Sequence, residues 1–153
     1  MKRFVLYAVA AIVAIGVTTA YADTMGSAKP VIFTPSTITW MPGQGQIPST
    51  VGVAVLDGDP TKAGPYTIRL KIPDGTKFPV HYHDDTERVT VISGIFKAGI
   101  GSTFDESKMV ELPAGSYCML PAGLRHYAMA KGETVVQVSG MGPFEMKMDK
   151  TGE

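Results

Sequence analysis

The sequence predicts an all-β barrel or sandwich, and three observations carry that expectation. Short runs rich in β-branched residues recur at close intervals, glycines fall between them at 58, 64, 75, 94, 115, 123, 132 and 140, and no long stretch has the periodicity of an amphipathic helix. Tyr66–Ile72 alternates apolar and polar residues and ends at Pro73-Asp74-Gly75, the pattern of a half-buried strand running into a turn. Val89, Thr90, Val91 and Ile92 mark a strand over Glu87–Ser93. Further strands are expected at Val51–Leu56, Ile95–Ile100, Met109–Leu112, Ser116–Leu120, Tyr127–Met129, Thr134–Ser139 and Phe144–Met148.

The amino terminus has the composition of an export signal. Lys2 and Arg3 precede an apolar run from Phe4 to Val17, and Ala20-Tyr21-Ala22 is a small-x-small cleavage site. The run is short for a spanning helix, which needs about 20 apolar residues. Cleavage after Ala22 would leave 153 less 22, or 131, residues beginning at Asp23, the size of one domain with one core. The expected location is periplasmic or secreted. Residues 23–48, rich in Thr, Ser, Gly and Pro, read as a leader with a short strand around Thr37–Met41. Residues 49–148 hold the strands, and 149–153 form a tail.

Of the 14 basic side chains, Lys2 and Arg3 leave with the signal, so 12 face 14 acidic ones in the mature chain. That balance argues against nucleic acid, which demands a basic face. The expected partner is a small-molecule ligand or substrate, with a homodimer as one option and no membrane association once the signal is removed. Cys118 is the one cysteine, so no intramolecular disulfide can form.

The chemistry concentrates on the three histidines. His81 and His83 are two apart, Glu87 follows, and His126 stands further on. Residues two apart on a strand share a face at roughly 6.6–7 Å, close enough for two imidazoles to converge on one ion. Glu87 would lie about 13 Å beyond His83 on a continued strand. A turn at Asp84-Asp85-Thr86 is therefore expected to bring its carboxylate back from the neighbouring strand. The predicted ligand set is His81, His83, Glu87 and His126, holding one divalent transition metal ion. Three imidazoles and a carboxylate suit Fe, Mn, Co, Ni, Cu or Zn, and outside the cytoplasm copper and zinc compete directly on affinity.

These residues also carry a resemblance. Gly75, five residues, His81-x-His83, three residues, Glu87, six residues and Gly94 resemble the first cupin motif without a gap. Gly115, five residues, Pro121-x-Gly123, two residues and His126 resemble the second. Ala130 stands where the second motif commonly has Asn, and the spacer of 20 residues between Gly94 and Gly115 is similar to those of small microbial cupins. Similarity to small secreted single-domain cupins runs from about Trp40 to Met148 and includes Gly58-Asp59-Pro60 and Gly142-Pro143-Phe144. The resemblance implies a jelly-roll barrel over 49–148 with one metal on three His and one Glu. It implies activities from dioxygenation, decarboxylation and isomerisation to plain binding, so the fold alone does not fix the reaction.

Other residues have a bland reading beside the functional one. Cys118 is expected as a small buried hydrophobe rather than a soft ligand. Asp84 and Asp85 are expected as solvated turn residues, and Arg125 as a surface side chain rather than an anchor for an anionic substrate. Tyr82 should point away from the histidines. Met119, Met129, Met141, Met146 and Met148 fit core filling better than a copper site. Trp40 and Phe78 are expected in ordinary packing, with a ligand mouth as the alternative. Two functions remain open from different classes. One is a metal-dependent oxidoreductase, dioxygenase-like, on a small molecule, with lyase or isomerase chemistry less favoured. The other is a non-catalytic binder or sensor of a metal or small ligand. No catalytic acid or base is assigned. A pocket lined by polar groups over the metal would favour the enzyme, and a dry, closed site the binder.

Overall fold

The computed structural model describes residues 30–148; the predicted signal at 1–22, the start at Asp23, the first part of the leader and the tail at 149–153 lie outside them. Nine strands form one curled antiparallel sheet: β1 (Met41–Pro42), β2 (Gly52–Gly58), β3 (Gly64–Ile72), β4 (Lys77–Tyr82), β5 (Glu87–Ile100), β6 (Val110–Pro113), β7 (Tyr117–Leu120), β8 (His126–Gly142) and β9 (Lys147–Met148). A single 3₁₀ turn, Glu106–Lys108, is the one helical element among the described residues, so no helix there is long and apolar enough to cross a membrane. This is the all-β architecture the sequence predicts, consistent with a jelly roll.

The 17-residue β8 organises the sheet. β5 runs along one side of it, from Arg88 opposite Ser139 to Ile100 opposite His126. On the other side β3 covers its second half, from Gly64 opposite Gly142 to Ile72 opposite Thr134, and β4 covers its start, with His81 opposite His126. β3 therefore shows the alternation read from the sequence, with Tyr66, Ile68, Leu70 and Ile72 buried. These side chains meet Val89 and Val91 of β5, and Val136 and Val138 of β8, in one core.

Two pairs of expected strands are continuous. Gly94 does not end a strand but lies in β5, and Gly132 likewise lies within β8. Gly94 has φ of 76°, and a Cβ there would come within 2.4 Å of the Glu133 carbonyl oxygen, so the two strands bend together where only glycine fits. Thr134 stitches the bend: its buried hydroxyl accepts from the Ile95 N–H at 3.2 Å and lies 3.0 Å from the Ile95 carbonyl oxygen. The expected strand at Phe144–Met148 shrinks to Lys147–Met148, which pairs with Tyr82 and His81. The one around Thr37–Met41 becomes Met41–Pro42.

Candidate metal centre

β4 carries His81, the bend that follows it carries His83, β5 begins at Glu87, and β8 begins at His126. His83 is thus one residue past the strand end. Glu87 does not come from a strand paired with β4, as expected from the sequence. β4 pairs with β8 and β9, whereas the start of β5 pairs with β7, Glu87 lying opposite Leu120. The carboxylate reaches the histidines across the curled sheet, because curling brings strands together that share no ladder.

All four side chains are buried. One ligand atom from each of His81, His83 and His126 lies within 4.8 Å of the others. Glu87 Oε2 is 3.4 Å from His126 Nε2 and 3.7 Å from His83 Nε2. The outer ring nitrogens are all spoken for: His81 Nδ1 lies 2.7 Å from the Pro79 carbonyl oxygen, His83 Nδ1 2.6 Å from that of Glu145, and His126 Nδ1 2.9 Å from that of Leu124. A carbonyl only accepts, so each Nδ1 carries a proton and donates it. In the neutral ring the lone pair then sits on Nε2. His83 Nε2 and His126 Nε2 are buried without a hydrogen-bond partner. Orphaned buried acceptors are costly, and two of them facing one another and a carboxylate are what a metal ion would satisfy. The donor set and its tautomers therefore fit a metal ion held by the three histidines.

Burial, with repulsion from His126 next in importance, lowers His81 to about 4, so its ring is neutral at pH 7 and ready to ligate. Burial would raise the Glu87 carboxyl, but the surrounding imidazoles, His126 foremost, outweigh it and hold the group below its ordinary value.

The cavity over these groups is about 30 Å³. Its other walls are apolar: Leu70, Phe78, Val89, Phe96, Val136 and Val138 from the barrel, with Ile47, Phe144 and Met146 completing the lining. Tyr127 also lines it, but its hydroxyl donates to the Asp105 carbonyl oxygen at 3.1 Å. No further titratable side chain lines this cavity among the described residues.

Phe78 is in the wall, whereas Trp40 packs against Gly52 and beneath the Lys71 ammonium, 4.6 Å from the ring centre. Tyr82 does not line the cavity, and the Arg125 guanidinium lies over its ring at 5.6 Å. Asp84 pairs with Lys147, and Asp85 accepts from the Thr86 N–H. Cys118 is half-buried on β7 outside the histidine group, and burial, aided by the Glu87 charge, pushes its thiol up to about 11, which keeps it protonated. Met146 contributes to the wall, while Met119 and Met141 are exposed. Sequence reasoning missed the three orienting carbonyls and the place of Ile47 and Met146 in the cavity wall. Backbone oxygens leave no trace in residue identity. Tyr66, also not singled out, packs on Phe144 and is raised by burial and then by the Glu87 and Asp85 charges.

A family model described as the ChrR Cupin-like domain matches residues 28–145. No curated protein gives a significant sequence match. Among solved structures, KdgF from Halomonas sp. aligns with a TM-score of 0.57 at 14% identity, covering 76% of this chain and 96% of its own. An RmlC-like cupin from Shewanella frigidimarina aligns at 0.56 and 13% identity, covering 81% and 95%. The polyketide cyclase RemF from Streptomyces resistomycificus aligns at 0.60 and 12% identity, covering 82% and 89%. At such identities these likenesses speak to the fold alone.

Proposed function

The chain belongs to the ChrR cupin-like family, and from that premise we propose an exported mononuclear metal protein that binds or senses a small ligand through an ion held by His81, His83, Glu87 and His126. The observation that carries this reading is the pair of orphaned Nε2 atoms beside the buried Glu87 carboxylate. When bound, the ion would supply a Lewis-acidic centre with positions left for an exogenous ligand. The chain's own residues do the rest. Pro79, Leu124 and Glu145 carbonyls orient the rings, the carboxylate offsets the ion's charge, and the apolar walls exclude bulk water.

The small, apolar chamber favours binding over acid–base catalysis. A lyase or isomerase needs a proton carrier within reach of its substrate, and beyond the ligands the lining offers only Tyr127, whose hydroxyl is tied to the Asp105 carbonyl oxygen. Metal-dependent oxidoreductase chemistry is the second reading, favoured by the same small apolar chamber, which suits dioxygen and requires no separate base. RemF, of similar fold, is a polyketide cyclase, which shows only that this barrel can host an enzyme.

Elemental analysis of protein recovered from its natural compartment tests the centre, with about one divalent ion per chain expected. Loss of that ion from His81→Ala and His126→Ala supports the ligand set, and unchanged metal in both removes it. Intact mass tests export: a chain starting at Asp23 is expected, and recovery of Met1–Ala22 still attached in the membrane fraction would mean an anchor. Oxygen uptake by metal-loaded protein with small phenols or dicarboxylates would favour the oxidoreductase reading.

A further inference from the structure

The metal chamber shares three of its wall residues with a second depression. Ile47, Phe144 and Met146 line both the 30 Å³ chamber and an outer depression of about 290 Å³ bordered by Gln44, Gln46, Glu145 and Lys147. These three half-buried side chains are the partition between an apolar inner room and a polar outer one. The inner room is far smaller than the ~150 Å³ that holds a benzene ring in an apolar cavity, though larger than one water needs.

The backbone on both sides of the partition is pinned. Below Ile47, the Gly43 N–H donates to Val51 at 2.8 Å, Val51 to Pro48 at 2.9 Å and Ile47 to Gln44 at 3.1 Å. The loop is folded so tightly that a Cβ on Gly43 would lie 2.3 Å from the Pro48 carbonyl oxygen. Opposite, the Phe144 N–H donates to Pro60 at 2.7 Å, and the Glu145 carbonyl holds His83. The Phe144 ring stacks on His83, centroids 5.1 Å apart, and leans on Tyr66 at 5.6 Å, so its rotation would disturb a ligand ring. That leaves Met146, unbranched and flexible, and the Ile47 side chain as the movable parts.

We propose that Met146 and Ile47 form a side-chain gate between the two rooms and select the ligand. Resting on the metal-centre reading, the gate fits a molecule with a slender end for the inner room and a polar remainder, which stays among the amide and charged groups outside. Bulky or wholly apolar molecules are excluded.

All three histidines of the chain line the inner room, but His83 also borders a separate small depression with Tyr66, Glu87 and Phe144, so modification of His81 and His126 is what reports access through the gate. The probe is diethyl pyrocarbonate, which is far bulkier than the chamber and acylates neutral imidazole nitrogen. It is applied to metal-stripped full-length mature protein, with the modified residues read by mass spectrometry. Slow modification is expected in the wild type, with a rise of tenfold or more in Met146→Ala and Ile47→Ala. Leu112→Ala, which loosens the core away from the partition, should raise the rate far less. Wild-type His81 and His126 reacting as fast as free imidazole, variants no faster than wild type, or Leu112→Ala matching the gate variants would each overturn the gate. Cobalt(II) loading of the same proteins judges the metal reading separately, because the modification arm requires no metal.

Discussion

Glu87→Gln separates a metal cage from a structural polar cluster, because the two assign it opposite signs. The carboxylate is buried beside two ring nitrogens that have no hydrogen-bond partner. An amide in its place removes a buried charge. It also adds an N–H donor within reach of His126 Nε2 or His83 Nε2, at 3.4 and 3.7 Å in the native geometry. One such bond contributes about 0.5–1.5 kcal/mol. Metal-free Glu87→Gln should therefore be as stable as the metal-free wild type, or up to about 1 kcal/mol more so. With metal the order should reverse. An ion at a thousandfold excess over its dissociation constant stabilises the wild type by about 4.1 kcal/mol. Even groups that only orient ligands cost 10–100-fold in affinity when lost, which is about 1.4–2.7 kcal/mol. The metal-dependent gain in the variant should thus shrink to about 1.4–2.7 kcal/mol. Urea unfolding of both proteins, with chelator and with zinc, reads all four values. If the chelated variant loses more than about 2 kcal/mol while the zinc-dependent gain stays at the wild-type value, Glu87 is a structural hydrogen-bond partner and not part of a metal cage.

Acid should weaken the metal-free protein. The folded state holds His81 at about 4 against an ordinary 6.5, so on acidification the unfolded chain takes up the proton first. Stability present above pH 6.5 drains as pH falls toward 4, by on the order of 3 kcal/mol. Chelated protein growing more stable between pH 7 and 4.5 in urea titrations would contradict the burial of His81. Thr134→Val strands the Ile95 N–H at the bend shared by β5 and β8 and should cost about 1–3 kcal/mol by the same assay. Gly99→Ala would place a Cβ 2.2 Å from the Tyr127 ring, so a loss of about 1–3 kcal/mol is expected, and a neutral result would mean that the ring has room to move.

The sequence alone was enough for whatever depends on neighbours along the chain. Period-two alternation in Tyr66–Ile72 placed β3 and its buried face, because side chains on a strand must alternate. The spacing of His81, His83, Glu87 and His126 was enough to nominate the ligand set, and the structure draws those side chains together. Glycine was ambiguous, since a left-handed φ ends a strand or merely bends it. Only the ladder to β8, which resumes on both sides of the bend, decided that β5 passes through Gly94. Pro79 and Leu124 orient His81 and His126 from two residues away, but the route by which Glu87 arrives, the carbonyl that fixes His83, and the partition of Ile47, Phe144 and Met146 belong to the tertiary structure. Glu145 lies 62 residues from the His83 it orients. Such pairs are chosen by how a twisted sheet closes on its core, which no local pattern encodes.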